Sequence, residues 1–333
     1  MTPETFWWVA FAAFVFAMLA LDLGVFHRKA HAVKLPEALA WTGVWIILAL
    51  LFNLGIYFGW IGSYAGAELR QQAALEFLTG YLIEVSLSVD NVFVFALLFD
   101  YFGVLPRYRH RVLFWGILGA LVMRAAMIFA GVALLQRFHV VVYFFGAILI
   151  FAGIKMWRSH GVKLDPKTNP VLRLARRIFP IAEGERGSDF FTTEKSAIAV
   201  TPLFVVLLFV EWTDLIFAID SIPAVLAVTQ DQFIVFTSNV MAILGLRALY
   251  FALAGVMERF HALHFGLAAI LVFVGAKMLL ADVYKIPTAV ALGVVAGILA
   301  FSVAFSLLRP PPRRLAKKPK KTGEVLHQIQ ANH

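Results

Sequence analysis

The chain has 333 residues, of which 61% are hydrophobic and only 15% are charged, and its mean hydropathy is +0.83. Soluble domains carry about 25% charged and about 45–50% apolar residues, so this composition excludes a soluble globular enzyme and a disordered protein. The absence of cysteine also excludes disulfides and thiolate metal sites. The apolar residues form blocks of about 20, long enough as helices to cross ~30 Å of hydrocarbon. The sequence therefore predicts an all-α, polytopic membrane protein.

About nine apolar spans follow one another, at 5–26, 39–60, 74–100, 112–135, 140–157, 202–228, 233–256, 264–281 and 286–308. Basic residues follow the first span and none precedes it, so we expect an anchor that is retained. Residues 1–308 are thus predicted to form a transmembrane domain, with a loop at 158–200 that carries a turn at Lys167–Pro170 and a short basic helix near 171–179. The basic tail, residues 309–333, is expected to be disordered.

The net charge of +9 indicates topology rather than nucleic-acid binding. Of the 29 Lys and Arg residues, 22 lie in one set of alternate loops and the tail, whereas three lie in the other set. Because cytoplasmic loops are enriched in Lys and Arg, this alternation places the N-terminus outside and the C-terminus in the cytoplasm. The lipid bilayer is the expected surrounding, no nucleic-acid partner is expected, and the sequence does not identify protein partners.

An internal repeat links the two halves of the chain. Residues 138–156 and 260–278 share Phe-His, Ala-Ile-Leu, Phe, Gly and Lys-Met in register, at an offset of 122. In each half the preceding span carries an arginine, Arg124 or Arg247, and the span before that carries paired carboxylates. The repeat unit is therefore three spans, 3–5 and 6–8, and because three is odd the copies must be inverted. Inverted repeats are typical of secondary transporters, with the ion site at the repeat interface; a duplication without a transport role is the alternative.

Five acids lie well inside the spans: Glu84, Asp90, Glu211, Asp214 and Asp220. Each ionised acid at the centre of a spanning helix costs about 2.5–3.5 kcal/mol on insertion scales. The acids must therefore be paired, protonated, hydrated or bound to a cation. Arg124 and Arg247 are the expected charge-compensating partners. Two arginines against five acids leave an excess of negative charge that suits a divalent cation and a proton.

Helical spacing places Glu84, Ser88 and Asn91 on one face of span 3. Glu211, Asp214 and Ser221 likewise share one face of span 6. Asp90 and Asp220 point about 120° away from these faces in a regular helix and join the site only where the helix is interrupted. Pro223 predicts such an interruption at 219–222, because its missing N–H cannot bond to Ile219.

Carboxylate, amide and hydroxyl oxygens favour hard divalent cations such as Mn²⁺, Ca²⁺ or Mg²⁺. The predicted metal site comprises Glu84, Asp90, Asn91, Glu211, Asp214, Asp220 and Ser221. The alternative for each acid is a structural ion pair, which is the favoured interpretation for Asp22 near the end of the first span.

Two acidic strings resemble the TerC family of membrane proteins. They are Gly80-Tyr-Leu-Ile-Glu84 with Ser88-Val-Asp90-Asn91, and Glu211-x-x-Asp214 with Ala-Ile-Asp220-Ser221-Ile-Pro223. The opening string Asp22-Leu-Gly-Val-Phe-His-Arg is similar to the Alx-type subgroup. The resemblance implies Mn²⁺ export across the bacterial cytoplasmic (inner) membrane, with the acidic strings as the metal site. Some family members are linked to Ca²⁺, to metal loading of secreted enzymes, or to tellurium resistance.

The expected function is therefore secondary transport of Mn²⁺ out of the cell, coupled to protons. No nucleotide-binding motif is present, and we expect neither an enzyme nor a bound cofactor, Mn²⁺ being the transported substrate. One alternative is a non-transporting scaffold that passes metal or a stress signal to partner proteins. An intramembrane aspartyl protease also needs two membrane aspartates, but its Tyr-Asp and Gly-x-Gly-Asp strings are missing here.

Overall fold

The computed structural model describes residues 2–21, 35–138, 140–158, 189–194, 197–253, 262–284 and 286–308, apart from a few side chains that include Asp90. Helices dominate this part of the chain: α1 Pro3–Leu21, α2 Leu35–Phe58, α3 Ala67–Tyr101, α4 Pro106–Arg137, α5 Val140–Arg158, α6 Pro202–Leu226, α7 Gln232–Leu253, α8 Leu263–Leu279 and α9 Thr288–Leu308. All except α8 are long and apolar enough to cross a membrane, and α8 is a shorter apolar helix of 17 residues. The predicted all-α polytopic fold is confirmed.

Two short strands, β1 Phe191–Glu194 and β2 Ala197–Val200, were not predicted and lie within what the sequence indicated as a loop. They pair antiparallel, with Phe191 opposite Val200. The next residue, Thr201, caps α6 by accepting a hydrogen bond from the backbone N–H of Phe204 at 3.3 Å. The strands thus end directly at the start of α6. The predicted turn at Lys167–Pro170, the helix near 171–179, Asp22 and the tail at 309–333 lie outside the described residues.

The inverted repeat is visible in how α5 packs against α8. A side chain on Gly153 would lie 2.7 Å from the carbonyl oxygen of Ala268, and one on Gly275 would lie 2.7 Å from that of Gly146. The repeat offset of 122 maps Gly153 onto Gly275 and Gly146 onto Ala268, so these two contacts are equivalent. Early residues of α5 meet late residues of α8, so the two helices run antiparallel.

The other equivalent helices are also antiparallel. Between α3 and α6, Gly80 approaches Val225, whereas Phe102, just after α3, packs against Phe209 with ring centroids 5.2 Å apart. Between α4 and α7, the Nη1 of Arg109 donates to the hydroxyl of Tyr250 at 3.1 Å near one end. Phe129 and Phe236 pack near the other end of this pair, with centroids 6.0 Å apart. Three helices of one orientation therefore face three equivalent helices of the other, as the sequence predicted.

Non-equivalent helices of the two repeats pack in parallel. In α4 and α6, Gly116 meets Val210 and Gly131 meets Leu226. In α3 and α7, the side chain of Ser238 lies 2.9 Å from where a Cβ of Gly80 would stand. The repeats thus interlock along their full length, and the polar residues of α3, α4, α6 and α7 meet inside this four-helix interface.

The remaining helices cover this interface. Phe11 of α1 and Phe52 of α2 pack against Phe233 of α7, with ring centroids 6.3 and 6.4 Å apart. The hydroxyl of Ser306 in α9 accepts from the backbone N–H of Ala262, just before α8. Large apolar side chains such as Phe151, 69% exposed, lie on the outer surface of the bundle, which suits contact with lipid.

The predicted interruption at 219–222 is wrong. Helix α6 runs without a break from Pro202 to Leu226, with Pro223 inside its last turn. A proline removes only one N–H donor, and helices packed among other helices tolerate this loss. Helix α3 likewise continues through Asp90. Both helices that carry the acidic strings are therefore continuous.

Candidate functional site

Arg124 of α4 lies at the centre of a buried polar cluster between the repeats. Its Nε and Nη2 donate to the two carboxylate oxygens of Asp214, at 3.1 and 2.9 Å, which gives a two-pronged ion pair with α6. Its Nη1 donates to the carboxylate of Glu84 on α3 and to the hydroxyl of Ser221 at 3.1 Å. One arginine thus joins an acid from each repeat. The spacing prediction that Asp214 and Ser221 share a face is confirmed.

Helix α7 supplies a fifth member of this cluster. The amide Nδ2 of Asn239 donates to Oε2 of Glu84 at 2.8 Å, so that both carboxylate oxygens of Glu84 are hydrogen-bonded. The sequence did not predict Asn239 as a member, because the prediction rested on charged side chains and an amide is uncharged. Its polar side chain among apolar neighbours in span 7 was the available signal. We call Glu84, Arg124, Asp214, Ser221 and Asn239 the central cluster.

The central cluster is sealed from the surroundings. The exposed fraction of its three charged residues is 0% for Glu84, 1% for Arg124 and 2% for Asp214. Buried charges of this kind persist only when they are paired and hydrogen-bonded. Two carboxylates share one guanidinium, so the ionised cluster carries one negative charge more than positive. In this structure Arg124 therefore compensates one of the two negative charges of Glu84 and Asp214.

The other predicted residues lie outside these direct contacts. Glu211 is half-buried, and its carboxylate rests against Gly119 of α4, where any Cβ would overlap with it. Asp220 is half-buried on α6. Its neighbours in the sequence are the exposed Ile219 and the buried Ser221. Arg247 lies near His110, with 3.0 Å between its Nη1 and the Nε2 of His110. The side chain of Asp90 is not among those described.

The α3 face that was predicted from spacing is buried throughout. Ser88 is 1% exposed and Asn91 is 2% exposed, on the same face as Glu84. Among the described residues, no group of three or more acidic or histidine side chains is close enough to hold a metal ion. Glu84 and Asp214, two of the predicted ligands, are engaged by Arg124. The seven-residue metal site accordingly stays a prediction.

A second polar region lies at the end of the bundle where α6 gives way to α7. Asp231 accepts from the backbone N–H of Phe233 and from the hydroxyl of Tyr64, both at 2.9 Å. Burial and the nearby charge of Asp231 raise the pKa of Tyr64 well above its usual value. A pocket of about 310 Å³, lined in part by Trp8 and Ser63, opens beside these residues. We call this end of the bundle the Tyr64 face.

The sequence matches known membrane proteins along most of its length. The family model "Integral membrane protein TerC family" matches residues 69–314. An uncharacterized membrane protein of Myxococcus xanthus is 51% identical over 94% of this chain and 96% of its own length. A relative from Escherichia coli K12, provisionally named a membrane-bound redox modulator, Alx, is 49% identical over 89% of this chain and 92% of its own. A membrane protein of Rickettsia bellii is 37% identical over 91% and 97%, respectively.

No solved structure gives a significant match to the chain. The family model covers well over half of the sequence, and the relatives are matched almost from end to end. The acidic strings that suggested the family lie within the matched region, around the central cluster. On this evidence the chain belongs to the TerC family of integral membrane proteins.

Proposed function

We propose that this protein is a secondary transporter that exports Mn²⁺, or another hard divalent cation such as Ca²⁺, in exchange for protons. The observation that supports this most strongly is the position of Arg124 between Glu84 and Asp214. These acids come from equivalent helices of inverted repeats, and the interface of such repeats is where transporters bind ions. A buried internal cation held by two acids is also what a transported cation would have to replace.

In this proposal Arg124 holds Glu84 and Asp214 for as long as no divalent cation is bound. Arg124 neutralises acids that would otherwise be too costly to keep ionised within hydrocarbon. A dehydrating divalent cation would take over Glu84 and Asp214 and displace the guanidinium. Glu211, Asp90, Asp220, Asn91 and Ser221 would then supply further oxygens as the repeats move relative to each other. Protonation of the acids would assist release of the cation and reset the site.

The provisional name of the Alx relatives points to redox modulation. The present chain contains no cysteine, so it has no thiol of its own for redox exchange. A change in the intracellular concentration of a redox-active metal would alter redox balance without one. Metal export therefore accommodates this name, as would a scaffold that passes metal or a stress signal to other proteins. Tellurium resistance would likewise follow as an indirect effect.

Movement of Mn²⁺ across a sealed membrane tests the proposal. The purified protein is reconstituted into vesicles that contain a Mn²⁺-quenched dye, and a pH gradient is applied. We expect Mn²⁺ movement with the parent protein and none with Asp220→Asn, at a half-buried position in α6, whereas Asp189→Asn, at an exposed position before β1, retains it. A folded parent protein that moves no Mn²⁺, Ca²⁺ or Mg²⁺ under any gradient would leave the scaffold as the better proposal.

The predicted location in the bacterial cytoplasmic membrane, with the N-terminus outside, is part of the same proposal. It makes the Tyr64 face the outer face of the protein. Cations released there would meet a pocket whose lining includes the carboxylates of Glu4 and Asp231. The strands β1 and β2, at the opposite end of α6, would face the cytoplasm.

A further inference from the structure

Three side-chain oxygen atoms on α3 and α7 are buried without a hydrogen-bond partner. They are the Oγ of Ser88, the Oδ1 of Asn91 and the Oδ1 of Asn239. The three residues are 1–2% exposed. Buried polar atoms are nearly always hydrogen-bonded, and those that are not call for an explanation such as an ion. Three of the four such side-chain atoms in the described part of the chain are on these two packed helices.

Ser88 departs from the behaviour of the other buried hydroxyls. Five of these donate to the carbonyl oxygen four residues earlier in their own helix: Thr79, Ser86, Thr213, Thr237 and Ser302. That bond is the ordinary way to satisfy a hydroxyl inside a transmembrane helix. Ser88 does not make it, so its oxygen remains available to a ligand.

Two of the three oxygens belong to neighbours of Glu84, and the third lies farther along the same face of α3. Ser88 and Asn91 follow Glu84 by one and two turns on the same face of α3. Asn239 reaches Glu84 from α7 through its Nδ2, which leaves its Oδ1 free of any partner. The hydrogen bond to Glu84 therefore orients the amide and presents its oxygen beside the carboxylate. All three oxygens belong to uncharged groups.

The charge of the central cluster selects the ligand. With Arg124 paired to Glu84 and Asp214, one negative charge is left over, and the oxygens of Ser88 and Asn239 add no charge. A single positive charge balances this cluster, whereas a divalent cation would overcompensate it while Arg124 stays in place. Uncharged oxygens that replace a hydration shell are the usual ligands of alkali cations in membrane proteins.

We propose that Ser88 and Asn239, together with Glu84, form a site for a small alkali cation, Na⁺, in the state in which Arg124 holds both acids. This inference rests on the proposed function, in which Na⁺ would leave when the divalent cation displaces Arg124. The exchange would then have a second counter-ion besides the proton. The site itself is tested without any Mn²⁺, so it stands or falls separately from Mn²⁺ transport.

The experiment follows thermal unfolding of the purified protein in detergent, through tryptophan fluorescence, at fixed pH. NaCl replaces choline chloride at constant ionic strength. We expect a saturable rise in Tm with Na⁺, because a ligand that binds only the folded state stabilises it. The apparent Kd for Na⁺ should rise by about tenfold or more in Asn239→Leu, which is the usual loss when a supporting group of an ion site is removed. Ser88→Ala should weaken Na⁺ binding in the same direction and changes packing less.

Asn53→Leu is the matched control. Asn53 of α2 also has a buried Oδ1 without a partner, but its neighbour Phe52 packs against Phe233, nearly two turns before Asn239. This variant should keep the Na⁺ response of the parent protein. Equal Tm in NaCl and choline chloride for the parent would overturn the proposal, as would an unchanged Na⁺ response in both Asn239→Leu and Ser88→Ala. A Na⁺ response without Mn²⁺ movement would instead contradict the proposed function and support the Na⁺ site.

Discussion

Gly153 and Gly275 occupy equivalent positions in the two repeats, and each touches the backbone of the other repeat's helix. A Cβ on either would lie 2.7 Å from a carbonyl oxygen, that of Ala268 or of Gly146. Backbone cannot move aside as a flexible side chain can. The close approach of α5 and α8 therefore depends on the absence of a side chain at both positions.

We expect Gly153→Ala and Gly275→Ala to destabilise the protein to a similar extent. Insertion of a methyl group into a packed interface costs about 1–3 kcal/mol, and both contacts are of equal length. Tm in detergent is the measurement. Gly293→Ala in α9 is the control, because nothing lies within 4 Å of its Cβ position. Unchanged Tm in both variants would show that α5 and α8 are not held this closely.

Arg124 and Asp214 should be strongly coupled. Removal of one partner of a buried ion pair costs about 3–5 kcal/mol, because the other charge is left unpaired. We therefore expect Arg124→Gln and Asp214→Asn each to lower Tm, and the double variant to lower it by much less than the sum. Arg111 and Asp189 form an exposed pair at 3.4 Å and provide the control cycle. That cycle should be additive, since exposed pairs contribute about 0–1 kcal/mol. Additivity in both cycles would contradict the central cluster.

Gly119→Ala should separate transport from stability. The new methyl group would occupy the space of the Glu211 carboxylate, and this flexible side chain can turn away. We expect Tm to change little and Mn²⁺ movement in vesicles to fall severalfold, because a predicted ligand is displaced. Gly43→Ala, where nothing lies within 4 Å, should leave both unchanged. Full transport by Gly119→Ala would remove Glu211 from the set of predicted ligands.

The second acids of the two repeats should be matched in function. Asp90→Asn and Asp220→Asn each keep the size of the side chain but lose the charge that offsets dehydration of the cation. We expect each variant to remain folded and to abolish Mn²⁺ movement in vesicles. Asp189→Asn serves as the control, since that residue is exposed. Normal transport by either variant would mean that the acid concerned is not a ligand.

The orientation of the chain can be tested with single cysteines, because the natural sequence has none. Ser63→Cys, in the lining of the pocket on the Tyr64 face, should react with a membrane-impermeant maleimide in intact spheroplasts. Ser188→Cys, in the segment 158–200 that the sequence predicts to be cytoplasmic, should react only after permeabilisation. Reaction of both in intact spheroplasts, or the reverse pattern, would contradict the proposed topology.

Much of this architecture could be predicted because hydrocarbon imposes simple rules. The spans follow from apolar length, and the shared faces of Glu84 with Asn91 and of Asp214 with Ser221 follow from the helical period. The repeat follows from residues that recur at an offset of 122. Continuity of α6 through Pro223 could not be predicted, since neighbouring helices decide whether a helix tolerates proline. The same limit applies to distances between helices.

The partner of each arginine also depended on packing. Periodicity gives the face of a residue but not which helix lies opposite, so Arg124 and Arg247 looked equivalent in the sequence. In the structure Arg124 joins Glu84 and Asp214, whereas Arg247 lies near His110. Asn239 was missed for the same reason, because its importance comes from its contact with Glu84.

The connectivity of the central cluster has a consequence for how the chain enters the membrane during synthesis. Glu84 and Arg124 are 40 residues apart on consecutive helices, whereas Asp214 follows Arg124 by 90 residues. The α3–α4 hairpin can therefore insert as a neutral pair before the second repeat is translated. Asp214 and Asn239 are synthesised later and would pack against the Glu84–Arg124 pair that has already formed. Loss of Glu84 should impair insertion of the nascent first half, whereas loss of Asp214 should impair only the later docking of the second.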